Sequence, residues 1–248
     1  MSEPGLLEFE WRLPPGVRAA FTTRQGGVSA APWDSFNLGV HVNDAPEAVA
    51  ANRARLKKMV SLPSEPVWMT QVHGVDVCDL DKTGDMLAPP TADAAITHER
   101  GRVCAIMVAD CLPVLFASRD GSRVGAAHAG WRGLAAGVLE KTVTALGVPG
   151  SQLTAWLGPA ISREHFEVGD EVRAAFVSGD AGAASAFAKY PRGKWQADLV
   201  AIAKRRLEAV GVTDVSGGGW CTFADRESFF SHRRDGKGGR MAALIWRV

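Results

Sequence analysis

Val103-Cys-Ala-Ile-Met-Val108-Ala-Asp110-Cys111-Leu-Pro113-Val114-Leu-Phe116 is followed, after a polar interval, by Val124-Gly-Ala-Ala127-His128-Ala-Gly130-Trp131-Arg132-Gly133. Short apolar runs bounded by Gly, Pro or charged residues are the pattern of buried strands. Working outward, similar runs occur at Ala19 to Phe21, Leu153 to Leu157 and Met241 to Trp246. Between them, Ala45 to Met59 carries apolar residues at helical spacing, with Asp44 as its expected cap. Leu134, Val138 and Leu139 form the stripe of a second helix, and Leu199 to Val210 a third that stops at Gly211. Hairpin-like strand pairs mixed with isolated helices predict an α+β fold of mixed sheets flanked by helices, and not a doubly wound sheet. Gly179 to Ser185 is expected to be an exposed loop.

The 248 residues, 46% hydrophobic, suffice for a single large domain spanning 1–248. A formal charge of +1 with no dense basic stretch argues against a nucleic-acid partner. The N-terminal stretch Met1-Ser-Glu-Pro-Gly-Leu-Leu-Glu-Phe-Glu has early acids and no long apolar segment, so neither a signal peptide nor a membrane span is expected, and the expected location is cytoplasmic. Cys78, Cys104, Cys111 and Cys221 show no Cys-x-x-Cys spacing and are expected to be thiols. Cys78 and Cys104 are expected to be small apolar strand residues.

The chemistry concentrates where apolar runs end. His128 stands where a strand gives way to a Gly-flanked helix start, Cys111 follows Asp110 in a turn, and His73 precedes Gly74. Two imidazoles and a thiolate can hold one transition metal and leave a fourth position open, as catalytic zinc sites do. Their separations, 38 and then 17 residues, form no compact motif. A rival reading makes Cys111 a nucleophile and His128 its general base, without metal. A structural reading of both, as core filler and helix cap, also stands at this point.

Seven segments occur in order: Phe21-Thr-Thr-Arg24-Gln-Gly26-Gly27-Val-Ser, Ser35-Phe-Asn37-Leu-Gly39, Gln71-Val-His73-Gly74, Val108-Ala-Asp110-Cys111-Leu-Pro113, His128-Ala-Gly130-Trp131-Arg132-Gly133, Leu157-Gly158-Pro159-Ala-Ile161 and Phe230-Ser-His-Arg233-Arg234-Asp235-Gly236. Together they resemble the YfiH/YlmD family, long labelled multicopper polyphenol oxidases or laccase-domain proteins and later purine nucleoside phosphorylases. The resemblance runs from about Phe21 to the C-terminus. It implies a zinc pocket on His73, Cys111 and His128. It implies phosphorolysis of adenosine, inosine, guanosine and methylthioadenosine, with adenosine deamination beside it. One bacterial member is credited with removing a wrongly attached amino acid from peptidoglycan precursors, so a Cys/His/metal amidase is the alternative enzyme. A metal-binding protein without turnover is the alternative outside enzymes. Copper-dependent polyphenol oxidation is disfavoured by chemistry: only six histidines are present and none form a His-x-His pair. Cu²⁺ can still replace Zn²⁺ on such ligands.

The substrates this implies, a purine nucleoside and phosphate, call for further residues. Asp110 is a candidate proton shuttle for a metal-activated water attacking C6 of adenine, an orienting carboxylate for a ligand imidazole, or a turn residue. Arg24, Arg233 and Arg234 are candidates for holding the anion. Asn37 and Gln71 are candidates for the sugar hydroxyls or the base edge, or for holding a loop. Trp131 and Phe229 or Phe230 are candidates for stacking on the purine. His41, His98 and His165 are assigned to the surface or to local hydrogen bonding, and His232 to a loop position beside the pocket where relatives often carry Tyr. The sequence sets no oligomeric state.

Overall fold

Strands buried on both faces lose the alternation that half-exposed strands show, and the centre of this chain is built from such strands. The computed structural model describes residues 4–84 and 88–248. Met1 to Glu3, the start of the N-terminal stretch read above, lie outside the described residues. In chain order the strands are β1 (Val17–Phe21), β2 (Val77–Asp79), β3 (Ala94–Thr97), β4 (Val103–Val108), β5 (Leu112–Ser118), β6 (Val124–Ala129), β7 (Leu153–Leu157), β8 (Glu167–Val168), β9 (Phe187–Tyr190), β10 (Lys194–Ala197), β11 (Asp214–Gly217) and β12 (Met241–Arg247). The helices are α1 (Pro46–Met59), α2 (Trp131–Ala136), α3 (Val138–Leu146), α4 (Asp170–Val177), α5 (Leu199–Ala209) and α6 (His232–Asp235).

A six-stranded mixed sheet runs in the order β11-β7-β5-β6-β3-β2. Its outer pairs, β11 with β7 and β2 with β3, are parallel, and the inner pairs antiparallel. A second, antiparallel sheet has the order β1-β12-β4, and a small one β8-β10-β9. Strand period then sorts the side chains into layers. Leu115, Ala117 and Ala126 of the large sheet meet Cys104, Ile106, Ala243 and Ile245 of the second. Val114, Phe116 and Ala127 face the other way, onto Leu134, Leu139, Ile202 and Leu207 of the helices. On the far side of the second sheet, Ala105 and Leu244 pack against Leu56 of α1. The class is the mixed α+β one, with helices outside two stacked sheets.

Several elements differ in detail from the sequence reading. Asp44 does not cap α1: its carboxylate accepts from Ser29 Oγ, Asn37 Nδ2 and the Ala45 backbone N–H, while Pro46 supplies the helical φ at the start. The second helix is two helices, because Gly137 adopts φ 99° and breaks the chain between α2 and α3. The third helix ends as expected, with Gly211 at φ 82°. Gly179 to Ser185 is no free loop: Ala181–Ala186 form a 3-10 turn whose Ala183 and Ala186 are buried. β3 went unread because Ala94-Ala-Ile-Thr97 is short and small-residued. Among the described residues no helix is long and apolar enough to cross a membrane.

The layer between the sheets supplies the first test. Ile106 is fully buried there, so Ile106→Ala should cost about 2–5 kcal/mol in urea unfolding while leaving the chain folded.

Candidate metal centre

Three separate chain segments deliver the His73, Cys111 and His128 side chains to one place. His128 is the penultimate residue of β6, so the buried strand fixes its position. Cys111 lies on the short corner by which β4 leaves the second sheet and β5 enters the large one. The corner turns through Asp110, at φ 90°, and His73 sits at φ 61° in the loop before Gly74. Left-handed backbone at non-glycine residues costs on the order of 1 kcal/mol or more, so the surrounding contacts hold these two turns in place. The ligand atoms of the three side chains lie within 4.8 Å of one another. Cys111 Sγ and His73 Nε2 are 3.7 Å apart, and the two imidazole rings meet edge-on at 4.8 Å.

Gly130 makes this convergence sterically possible. A Cβ there would stand 2.8 Å from His73 Cδ2 and 2.9 Å from Cys111 Sγ, both inside van der Waals contact. Gly133 is constrained in the same way by the Gly74 carbonyl oxygen, 2.7 Å from where its Cβ would be. The start of α2 therefore packs directly on the ligand loop, which accounts for the two glycines of the His128-Ala-Gly-Trp-Arg-Gly motif.

Asp93, which the sequence reading did not single out, ties the segments together. Its side chain is fully buried at the head of β3. Oδ1 accepts from His128 Nδ1 at 2.8 Å and from the His73 backbone N–H at 2.9 Å. Oδ2 accepts from the backbone N–H groups of Val72, at 3.1 Å, and Gly74, at 2.7 Å. One carboxylate thus shapes the loop that carries one ligand and orients the ring of another. With Nδ1 committed to Asp93, the free ring nitrogen of His128 is Nε2. The signal in the sequence was a lone acid heading an apolar run, Ala92-Asp93-Ala94-Ala-Ile96, since a charge in that position has to be paired.

The electrostatics follow from this packing. Burial raises the Asp93 carboxyl, but the hydrogen bonds from His128, Gly74 and Val72 outweigh it and hold the group below its ordinary value. Burial also opposes ionisation of Cys111, yet His128 and His73 bring its thiol down to about 6. For His128 burial opposes protonation, and the Cys111 thiolate and Asp93 together raise it to about 9. In the metal-free chain the two groups thus shift in opposite directions, each favouring the charged form of the other. A thiolate and two imidazole nitrogens are the donor set of a borderline-soft divalent ion. Tetrahedral zinc bond lengths imply a sulfur-to-nitrogen separation of about 3.6 Å, which the Cys111–His73 distance matches.

Beside Cys111 opens a cavity of about 140 Å³, mostly apolar, whose walls include Trp131, Ile161, Phe166 and Leu199, with His232 and Arg233 at its rim. Arg233 lies with its guanidinium 5.3 Å from the Phe166 ring centroid and donates to the Glu167 carbonyl. Asp110 accepts from Thr222 Oγ1 and from the Arg233 backbone N–H, each at 2.6 Å, so it anchors the α6 segment to the Cys111 corner. The carboxylate that orients a ligand imidazole is Asp93.

The remaining expected residues are spread more widely. Gln71 pairs its amide with the backbone N–H and carbonyl of Met107, fastening the His73 loop to β4. Asn37 is fully buried: its amide oxygen accepts from Gly39 and Arg240 and its nitrogen donates to Gly39 and Asp44. Arg234 spends its guanidinium on the Thr222, Phe223 and Phe229 carbonyls and on Asp235. Arg24 pairs with Asp34 and faces a different cavity, with Gln25 and Arg226. Of the three arginines expected to hold an anion, the structure brings Arg233 to the Cys111 cavity. Phe229 and Phe230 are buried between the sheets, leaving Trp131 and Phe166 as the aromatic walls. His98 pairs with Asp81, and His165 contacts Ser162 and stacks on Phe223. His41 lines a cavity of its own, together with His232 and Arg240.

The profile of the family described as multi-copper polyphenol oxidoreductase laccase matches residues 18–248. The chain belongs to that family. It is 54% identical over 238 residues to a purine nucleoside phosphorylase of Pseudomonas aeruginosa, covering 96% of each chain. It is 52% identical over 243 residues to the purine nucleoside phosphorylase YfiH of Escherichia coli, covering 98% of this chain and 99% of that one. Among solved structures, a Neisseria meningitidis protein superposes with a TM-score of 0.94 at 46% identity, over 98% of this chain and 99% of the other. YlmD from Geobacillus stearothermophilus superposes with a TM-score of 0.89 at 31% identity, over 100% of this chain and 97% of that one.

Two measurements check this centre. Asp93→Asn should weaken metal binding about 10–100-fold in a chelator competition, because an amide cannot accept from all four donors. In metal-free protein the Cys111 thiolate should be visible by ultraviolet absorbance at neutral pH and vanish as pH falls through about 6. The sign is that of a depressed acid: its contribution to stability is present above the ordinary value of 9.0 and disappears on acidification through about 6, whereas that of His128 is present below 6.5 and is lost as pH rises through about 9. A thiol titrating near 9 would show that the pair does not form.

Proposed function

We propose that this chain is a zinc-dependent purine nucleoside phosphorylase, acting on adenosine, inosine, guanosine and methylthioadenosine, and that it also deaminates adenosine. The observation that carries the reading is the His73–Cys111–His128 donor set, whose Cys111 lines an aromatic-walled cavity, in a chain whose relatives carry the phosphorylase name. In phosphorolysis a phosphate oxygen forms a bond to C1′ of the ribose as the bond from C1′ to the purine nitrogen breaks. The electron pair leaves with the purine, which takes up a proton, and the products are the free base and ribose 1-phosphate, or 5-methylthioribose 1-phosphate from methylthioadenosine.

His73, Cys111 and His128 would hold Zn²⁺, with Cu²⁺ as a possible substitute on the same donors. When bound, the ion supplies Lewis-acid polarisation at an open coordination position, the chemistry that deamination requires. Asp93 keeps the proton on His128 Nδ1 and so keeps Nε2 available. Trp131 and Phe166 offer flat apolar walls suited to a heteroaromatic base, and Arg233 places a cation at the cavity rim. Asp110, with both oxygens engaged, holds the Arg233 backbone in register with the Cys111 corner. Asn37 and Gln71 act on substrate indirectly in this reading, by holding the loops that bear the site.

A second reading rests on the Cys111–His128 pair itself. A thiol shifted toward its thiolate by a neighbouring imidazole also suits nucleophilic cleavage of an acyl bond, as in an amidase editing peptidoglycan precursors. The copper polyphenol oxidase named by the family description needs several copper ions, and one cluster of at least three metal-ligating side chains is present among the described residues. Product-resolved chromatography of adenosine with zinc-loaded protein separates the two enzymes. Phosphate-dependent adenine and ribose 1-phosphate, with inosine from deamination, should form and be lost in Cys111→Ala. If neither base nor inosine appears with or without phosphate, the nucleoside reading fails and the amidase is preferred. A Cys111→Ala variant that loses the metal but keeps partner binding and cellular phenotype, in a chain without turnover, would identify a metal-binding protein without catalysis.

A further inference from the structure

On the other side of His232 from the Cys111 cavity lies a second cavity, of about 460 Å³. His232 lines both, so the two adjoin at that side chain. The second cavity presents His41, His232, Lys237 and Arg240, and no Asp or Glu lines it. These four residues come from three parts of the chain: the 3-10 turn Val40–Val42, helix α6 with the Gly-rich turn after it, and the approach to β12.

His41, His232 and Lys237 are exposed and Arg240 is half-buried, on backbone that the fold holds in place. A Cβ at Gly39 would lie 2.9 Å from Arg240 Cγ and 3.3 Å from His41 Cε1, so both side chains converge on one backbone point. Buried Asn37 fixes that point, accepting from the backbone N–H groups of Gly39 and Arg240 at 2.9 Å each. Arg240 is half-buried and donates Nη1 to the Gly238 and Gly239 carbonyls. Among the described residues no ion pair joins Arg240, Lys237, His41 or His232 to a carboxylate. The nearby acid Asp235 pairs with Arg234, and Asp110 is engaged by Thr222 and Arg233. Burial first, then Arg240 and Arg53, hold the His41 imidazole below its ordinary value, as expected where positive charge is crowded. A half-buried guanidinium beside an ammonium and two imidazoles, which feels the charge of Cys111 and Asp110 but is paired with neither, can take an anion from solution.

We propose that His41, His232, Lys237 and Arg240 form the subsite for the phosphate co-substrate, joined through His232 to the cavity that takes the nucleoside. This assignment rests on the phosphorolysis reading for the identity of the anion, and replaces Arg24 and Arg234 as the expected anion-holding residues. The base lies on the Cys111 side with ribose C1′ turned toward His232, where the two cavities adjoin, so that a phosphate oxygen held by the guanidinium, the ammonium and the two imidazoles can reach it.

The test uses zinc-loaded full-length protein and inorganic phosphate. Losing a charge-assisted contact, Arg240→Gln should raise KM for phosphate about 10–100-fold with KM for adenosine nearly unchanged, and exposed Lys237→Ala should raise it several-fold. Because Arg240 also braces the Gly238–Gly239 turn, Lys237→Ala and His41→Asn keep the test decisive if Arg240→Gln fails to fold. Inorganic phosphate alone should broaden its own phosphorus NMR signal with the wild type and less with each variant. Phosphorolysis with an unchanged phosphate KM in the folded variants overturns the subsite. Variant-sensitive phosphate binding without any phosphorolysis by the wild type leaves the subsite standing and rejects the phosphorolysis reading. Adenosine 5′-monophosphate should bind no more tightly through these residues than inorganic phosphate. A marked, variant-sensitive preference for the nucleotide would overturn the assignment to the free co-substrate.

Discussion

The candidate centre depends on one buried carboxylate. Asp93 sits at the head of a strand with no solvent to share its charge, and it is satisfied by four donors from two distant segments. An isolated ionised carboxylate in that position would cost several kcal/mol, so the loop at Val72 to Gly74 and the ring of His128 are bound to it as a condition of folding. Stability and site geometry are therefore coupled. The interactions that keep the charge from being stranded also place two of the three candidate metal ligands.

The two stacked sheets provide the rigidity that this coupling requires. β6 is hydrogen-bonded on both sides, by β5 and β3, and His128 inherits that fixed position. Cys111 lies at the corner between the sheets, where the chain crosses from one layer to the next. Mobile segments are poorly suited to holding three ligand atoms within a few ångströms. Here the flexible choices have been removed by burial, by two left-handed turns at His73 and Asp110, and by glycines at 130 and 133 that let a helix close over the ligands.

A division of labour among the polar residues emerges from the same packing. Asn37, Gln71, Asp110 and Arg234 direct their side chains to backbone groups and so hold loops, whereas Arg233, His41, His232, Lys237 and Arg240 line cavities. Each loop-holding residue lies beside a residue that faces a cavity or the metal cluster: Asn37 near His41, Gln71 near His73, Asp110 next to Cys111, and Arg234 next to Arg233. Side chains whose hydrogen bonds are all made inside the protein have nothing left to offer a ligand. That is why residue type and motif membership could not sort the two groups.

The sequence by itself determined the strand runs from Val103 to Ala127, the helices around Leu56 and Leu207, and the two histidines and cysteine that meet. Apolar runs and their breaks are local consequences of composition, and the motif glycines mark the turns where those residues stand. Only the tertiary structure decided that Asp93 is the residue orienting His128, that Gly137 splits one apparent helix, and that Arg240 and His41, far apart in the chain, face a shared cavity. Pairing a buried charge and gathering basic groups around one cavity are properties of neighbours in space. Neither is written in the spacing along the chain, because the folding of two sheets onto each other brings those neighbours together.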